Sequence, residues 1–305
     1  MADLHKTIDC LTSGCVLVLC GLLAGCGGSP ATGNSAQEDG RSTDAELIDP
    51  AAAAAPMLFG KLTITGSSTV APLAAEIAAR FEEQHPGVRI DVQTGGSSRG
   101  ISDVQSGAAD IGMASRPLTD SEATLTGHQV AVDGICFIVH ESNPVETLTD
   151  EQVVAIFRGE VTNWKDLGGS DLPIVVVSKA AGRATLEVFL HYFQLDAVEI
   201  DADIIVGENQ QSIKTVAGNP SAIAYVSIGT VGAEVERGTP IRSVQSGNVA
   251  PTTENVASGK FPMTRPLLLV TQGKLSDRAK VFIEFAQSSD VTDLIEAQYF
   301  VAPKR

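Results

Sequence analysis

Three short segments of the sequence combine glycine with hydroxyl side chains, and each stands between an apolar run and a helix-like segment. They are residues 66–69 (GSST), 95–100 (GGSSRG) and 179–185 (KAAGRAT). At a helix start the first backbone N–H groups lack intrahelical partners and carry partial positive charge. Glycine lets the backbone approach an oxygen closely, and Ser and Thr hydroxyls donate one more hydrogen bond. These residue types in these positions predict an anion-binding site.

A fourth segment adds a hydroxyl and a guanidinium, because Ser115 and Arg116 follow a strand-like run. Taken singly, each loop is also what an ordinary helix N-cap requires, since Ser, Thr and Gly are favoured there in any protein. The occurrence of three such loops and a fourth polar segment in one chain favours a shared anion-binding site over four unrelated helix caps. Lys179 and Arg183 lie in the third loop, so we expect one half of the protein to bring charge and the other to bring neutral donors. Arg99 is interpreted as a solvated surface residue.

Short apolar runs alternate with helix-like segments from residue 61 onward, which is the pattern of an α/β fold. An apolar stretch at residues 130–139 predicts one or two long strands that could cross between lobes. In α/β sheets the strand-to-helix junctions gather at the carboxyl ends of the strands, where ligands bind. The other predicted strands are 62–65, 89–93, 110–114, 174–177, 204–206, 222–227 and 267–270, and the predicted helices are 70–84, 101–106, 149–157, 184–193, 276–287 and 291–296.

The N-terminal segment predicts export and a lipid anchor. Residues 15–24 form an apolar run that is too short to span a bilayer comfortably but typical of a signal-peptide core. Leu23-Ala24-Gly25-Cys26 resembles the bacterial lipobox, whose cysteine becomes the acylated first residue; a chance run of small residues is the alternative. The polar, Gly- and Ala-rich residues that follow cannot bury enough apolar surface to fold. We expect a signal peptide over residues 1–25 and a flexible tether over residues 26–59.

Charge and cysteine content exclude several classes of protein. The formal net charge of −16 opposes binding to nucleic acid and to anionic lipid headgroups. An anion site in such a protein must therefore work through local donors and dipoles. Four of the five cysteines lie within the first 26 residues, so the folded part has no disulfide framework. The scattered His residues and the single remaining Cys136 predict neither a metal site nor a cofactor.

Residues 61–303 resemble the phosphate-binding component of phosphate ABC transporters, a family of two-lobed periplasmic solute-binding proteins. The resemblance implies an α/β fold of the type II periplasmic-binding-protein class, in which each lobe is a mixed sheet flanked by helices and the ligand cleft lies between the lobes. It implies lobe 1 at residues 60–138 and 245–305, and lobe 2 at residues 139–244. The matching segments, besides the loops at 66 and 95, are residues 110–116 (DIGMASR), 148–169 (LTDEQVVAIFRGEVTNWKDLGG), 222–229 (AIAYVSIG), 261–267 (FPMTRPL) and 300–303 (FVAP).

The resemblance also implies roles for individual residues. Ser68 would donate a hydroxyl and Thr69 a backbone amide from the first helix start, and Ser97 would do the same from the second. Ser115, followed by Arg116, stands where many members place an Asp that accepts the proton of hydrogen phosphate. The missing Asp bears on selectivity, because a carboxylate that accepts a proton favours hydrogen phosphate, which has a proton to donate, over sulfate, which has none.

The third loop departs from the family pattern as well. Lys179 stands where the family has a phosphate-facing Arg, and the segment Gly182-Arg183-Ala184-Thr185 stands in place of Gly-Ser-Gly-Thr. Thr185 keeps the family's hydroxyl donor. A lysine cannot make the bidentate fork that an arginine makes, so Arg183 is the candidate to take over that task.

We therefore predict a monomeric, non-enzymatic binding protein of the cell envelope or periplasm, lipid-anchored, that captures phosphate and delivers it to the permease and ATPase subunits of an ABC importer. A binding protein for sulfate, molybdate or arsenate remains an alternative, as does a phosphate sensor or adhesin. A phosphoester hydrolase with Ser68 or Ser97 as nucleophile is disfavoured, because no His stands in a triad-like context.

Overall fold

The alternating apolar runs form ten strands within residues 57–304, the part of the chain that this computed structural model describes. The predicted signal peptide, the lipidation site at Cys26 and most of the tether lie outside the described residues. Between residues 57 and 304, no helix has the length and apolar character needed to cross a membrane.

The first lobe is built from three parallel strands with one antiparallel neighbour. Pairing joins β2 (Val88–Thr94) to β1 (Gly60–Gly66), β1 to β3 (Ile111–Ala114), and β3 to β10 (Thr264–Gln272). Its core includes Leu62, Ile64, Phe81 and Phe282. The sheet shares this core with its flanking helices. These helices are α1 (Ala71–Gln84), α2 (Ser97–Ser106), α8 (Asp277–Ala286) and α9 (Thr292–Ala297).

One long strand, β4 (Leu125–His140), passes from the first lobe into the second. Its residues 125–134 pair antiparallel with β10. Its residues 135–140 pair instead with β8 (Ala222–Ser227) and β9 (Ile241–Ser246). The predicted crossing by residues 130–139 is confirmed as a single strand.

The second lobe continues the sheet from β8 to β6 (Val175–Lys179) and β7 (Ile204–Val206), all parallel. A short strand β5 (Thr147–Leu148) pairs with β9. The core holds an aromatic cluster of Phe137, Phe157, Phe189 and Tyr225. The helices of this lobe are α3 (Asp150–Phe157), α4 (Ala184–Phe193), α5 (Asn209–Ala217), α6 (Ile228–Glu236) and α7 (Thr253–Ala257).

The chain returns to the first lobe later than the boundary predicted at 244/245. Val256, Phe261 and Met263 pack into the second core, and Thr264 is the first residue of β10 opposite Gly134. The strand pairing therefore assigns residues 57–134 and 264–304 to the first lobe and residues 135–263 to the second.

Candidate functional site

Four strand-to-helix junctions meet around one small cavity of about 10 Å³. In the first lobe they are the junctions from β1 to α1 and from β2 to α2, and in the second lobe those from β6 to α4 and from β7 to α5. This volume lies far below the roughly 300–1,000 Å³ of ordinary small-molecule sites, so the cavity can accommodate only a ligand of very few atoms. The lining residues are Ser67, Ser68, Thr69, Gly96, Ser97, Ser115, Arg183, Ala184, Thr185, Gly207 and Asn209.

The first junction is shaped by Gly66 and Ser67. Gly66 has φ +133°, and a Cβ there would stand 2.3 Å from the carbonyl oxygen of Met113, so only glycine permits this approach of β1 to β3. The Ser67 hydroxyl accepts hydrogen bonds from the amides of Thr69 (3.2 Å) and Val70 (3.4 Å). It also donates to the Ser115 hydroxyl at 3.0 Å. Ser67 is therefore committed to the protein and fixes the loop that carries the lining residue Thr69.

The second junction brings the two lobes into contact. Gly96 has φ +96°, and a Cβ there would lie 2.9 Å from both the Gly182 carbonyl oxygen and Arg183 Cδ of the second lobe. Helix α2 begins at Ser97, four residues before the predicted start. The Ser97 hydroxyl accepts a hydrogen bond from the Ser115 amide at 3.1 Å, so Ser97 is buried at the base of the cavity.

The starts of α2 and α4 differ from ordinary capped helices. Among the described residues, helices α3, α6, α7 and α8 each donate a hydrogen bond from an early backbone amide to the side-chain oxygen of a Ser or Thr at the N-cap. Helices α2 and α4 have Gly96 and Arg183 at that position, with no side-chain cap. Apart from the Ser98 amide, which donates to the Gly182 carbonyl oxygen at 3.4 Å, the first amides of these helices therefore remain available to a ligand. This speaks against the alternative that their loops serve only as caps.

A buried arginine that the sequence analysis did not select lies directly behind the cavity. Arg265, at the start of β10, is fully buried and paired with Asp133 of β4, with Nη2–Oδ2 and Nε–Oδ2 distances of 2.8 and 3.0 Å. Its guanidinium also donates to the hydroxyls of Thr69 (3.1 Å), Ser115 (3.3 Å) and Thr185 (3.0 Å). All three hydroxyls line the cavity.

These contacts determine which way the hydroxyl hydrogens point. The Thr69 hydroxyl accepts from Arg265 and from Asn209 Nδ2 (3.0 Å). The Ser115 hydroxyl accepts from Arg265 and from the Ser67 hydroxyl. Because a hydroxyl has two acceptor lone pairs and one hydrogen, both groups have their acceptor positions filled and keep the hydrogen to donate. The cavity is thereby lined with oriented donors.

Lys179 and Arg116, two of the predicted charged ligands, are not among the lining residues. Lys179 is buried, and its Nζ donates to Ser212 Oγ (2.6 Å) and to the Glu208 carbonyl oxygen (3.1 Å). Burial, helped by the nearby charges of Arg265 and Arg183, lowers the pKa of Lys179 to about 7. Arg116 is held by two 2.8 Å hydrogen bonds from its guanidinium to Glu122.

Arg183, the third predicted cation, does line the cavity. Its Nη1 donates to Glu208 Oε1 at 2.7 Å, and its side chain lies against Gly96 and Gly207. The cations around the cavity thus have carboxylate partners or are deeply buried, and none of the lining residues in the described part of the chain is acidic. An anion there would be held mainly by neutral donors and helix starts.

The fold and this cavity define a two-lobed solute-binding protein whose cleft presents hydrogen-bond donors from both lobes. Residues 31–290 match the family model of the PBP superfamily domain. The phosphate-binding protein PstS of Bacillus subtilis (strain 168) is 32% identical over 236 residues, which cover 76% of this chain and 77% of that protein.

Solved structures agree with these sequence matches. A putative phosphate ABC transporter substrate-binding protein with bound phosphate from Clostridium perfringens has a TM-score of 0.76 and 34% identity, covering 80% of this chain and 100% of that chain. An ABC-type phosphate transport receptor from Vibrio cholerae has a TM-score of 0.63 and 33% identity at the same coverage. The chain belongs to the PBP superfamily and, within it, to the PstS family of phosphate-binding proteins.

Proposed function

We propose that this protein binds phosphate in the cleft between its lobes and delivers it to an ABC importer in the cell envelope. The observation that carries the proposal is the orientation of the cavity hydroxyls. Thr69 and Ser115 have their acceptor positions filled by Arg265, Asn209 and Ser67, so they face a ligand as donors. A cavity of donors from four helix starts suits a small, acceptor-rich anion. The relatives and structures named above as phosphate-binding support phosphate as that anion.

Each lobe supplies part of the proposed site. The first lobe contributes Ser68, Thr69, Ser97 and Ser115, and the second contributes Arg183, Ala184, Thr185 and Asn209. Anion bound to one lobe offers its remaining oxygens to the other, so the closed state gains contacts that the open state lacks. In this role Arg265 orients the hydroxyls and supplies positive charge from behind them. Lys179 and Arg116 support the surrounding loops.

The binding cycle makes and breaks no covalent bond, so the protein acts as a receptor and not as an enzyme. The tether at residues 26–59 and acylation of Cys26 would hold a monomeric body at the membrane, within reach of the permease and ATPase subunits. The acidic surface does not compete for the ligand, because the donors act at short range inside the cleft.

A second candidate ligand follows from one observation, the absence of acidic residues from the described cavity lining. A site without a proton acceptor cannot reject sulfate on the ground that sulfate has no proton to give. Sulfate is therefore the rival to phosphate that the chemistry of the lining itself suggests.

Calorimetric titration of the mature protein with Cys26→Ser, which prevents lipid attachment, tests the proposal. We expect saturable heat with phosphate and arsenate, which share shape and protonation, and the affinity for sulfate relative to phosphate decides between the two candidate ligands. If none of the four oxyanions phosphate, arsenate, sulfate and molybdate gives saturable binding, the proposed function is refuted. Sulfate binding as tight as phosphate binding would shift the assignment to a general tetrahedral oxyanion. In the same preparation, a chromogenic phosphate ester should remain uncleaved.

A further inference from the structure

A carboxylate outside the cavity connects the two lobes. Glu187 lies in the first turn of α4 in the second lobe. Its Oε2 is 2.5 Å from Nε of Arg116, a residue of the first lobe. Its Oε1 accepts a hydrogen bond from Ser98 Oγ of the first lobe at 3.3 Å. Both carboxylate oxygens of Glu187 therefore contact the opposite lobe.

Arg116 is positioned for this contact within its own lobe. Two 2.8 Å hydrogen bonds join its guanidinium to Glu122, and the Glu122 carboxylate also accepts from the Thr119 amide at 2.8 Å. The Arg116 side chain is only 9% exposed. A guanidinium fixed in this way loses little conformational freedom when a second carboxylate arrives, so more of the attraction is kept as free energy.

The contact is separate from the ligand. Neither Arg116 nor Glu187 lines the cavity. Among the ion pairs of the described residues, those of Arg158 with Glu199 and Arg183 with Glu208 lie within the second lobe, and Arg265 with Asp133 lies within the first lobe. The pair of Arg116 with Glu187 joins the two lobes outside the cavity lining.

We propose that Glu187 is a latch that controls the rate of ligand release without touching the ligand. The proposal rests on the proposed function, because it requires a ligand held by lobe closure. A contact made only in the closed state lowers the free energy of that state alone. Breaking it must precede opening, so removing it should accelerate release and leave association nearly unchanged.

Stopped-flow release of phosphate from the mature protein tests this inference. Glu187→Gln should release phosphate roughly two- to five-fold faster, the loss expected for an ion pair whose carboxylate is 38% exposed. The matched control is Glu199→Gln, because Glu199 has similar exposure (34% against 38%) and pairs with Arg158 in its own lobe. That control should release phosphate at the wild-type rate.

The salt dependence of the phosphate release rate is a second readout, which a general loss of folding stability would not change. Rising ionic strength should accelerate release from the wild type and from Glu199→Gln, but it should have much less effect on Glu187→Gln, in which the charge pair is already absent. Ser98→Ala, which removes only the neutral partner, should accelerate release less than Glu187→Gln while keeping the salt dependence.

The outcomes separate the latch from the proposed function. If the wild type does not bind phosphate, the proposed function fails and the latch fails with it. If the wild type binds phosphate and Glu187→Gln releases it at the wild-type rate with the wild-type salt dependence, the latch alone is overturned. Thermal unfolding of the ligand-free Glu187→Gln variant at the wild-type temperature would exclude a folding defect as the cause of faster release.

Discussion

The buried pair of Arg265 with Asp133 gives the most informative prediction. Asp133→Asn keeps the shape of the side chain but leaves the Arg265 guanidinium, which is fully buried, without its counter-charge. Removing one partner of a buried pair costs about 3–5 kcal/mol. For a body of this size, that loss corresponds to a fall in Tm of roughly 6–20 °C in the absence of ligand.

Phosphate should restore part of this loss. Arg265 donates to three hydroxyls that line the cavity. A phosphate dianion bound to these hydroxyls would be separated from the Arg265 guanidinium by a single hydroxyl group, so its negative charge would partly replace that of Asp133. The difference in unfolding free energy between the wild type and Asp133→Asn should therefore be smaller in saturating phosphate than without it. Urea unfolding at both conditions measures the difference directly.

Two controls sharpen the result. The double variant Asp133→Leu/Arg265→Met removes both charges, so it should regain ligand-free stability while losing phosphate affinity. Glu284→Gln breaks an exposed pair with Lys280 and should leave both conditions nearly unchanged. The reasoning is refuted if Asp133→Asn loses less than about 1 kcal/mol without ligand, or if phosphate leaves the difference from wild type undiminished.

Three further variants test the lining and its surroundings. Ser97→Asp should abolish phosphate binding in calorimetry by charge repulsion at a buried helix start, whereas Ser102→Asp on the exposed face of the same helix should bind normally; unchanged affinity of Ser97→Asp would contradict the site. Arg183→Ala should weaken binding by on the order of 1.5–3 kcal/mol, with the exposed Arg99→Ala as control, and no loss would assign Arg183 to loop support. Lys179 keeps its proton up to about pH 10 in the unfolded state, but in the folded state it releases the proton near pH 7. Between about pH 7 and pH 10 the unfolded state therefore binds more protons than the folded state. The free energy of unfolding should accordingly rise with pH in that range. Urea unfolding should show that the wild type gains about 2 kcal/mol more than Lys179→Met between pH 7 and 9, and equal gains would contradict the lowered pKa.

The sequence predicted much of the framework because apolar periodicity and loop chemistry are local signals. Strands β1 to β3 and helices α1, α3 and α4 follow the expected segments closely, whereas β4 begins at Leu125, five residues before the expected stretch. Helix α5 was missed because only Ile213 and Val216 form its buried apolar stripe, too little periodicity to recognise. Its first residue, Asn209, was therefore missed as part of the cavity.

Arg265 and Asp133 were missed for a different reason. They are 132 positions apart in sequence and become neighbours only because β10 and β4 pair antiparallel. No local pattern reports that pairing. A signal was nevertheless present, since each is a charged residue within an apolar strand segment, and a charge in such a place is almost always paired. Arg116 and Lys179 were predicted as ligand-binding residues, but neither lines the cavity, and their side chains are engaged with Glu122, Glu187, Glu208 and Ser212.

The central claim is that helix starts from both lobes enclose one tetrahedral anion. A crystal structure of the mature protein with phosphate tests it most directly. We predict phosphate in the cavity between the starts of α2 and α4, with its oxygens within hydrogen-bond distance of Thr69, Ser97 and Thr185. Phosphate bound elsewhere, or these groups facing away from it, would contradict the account.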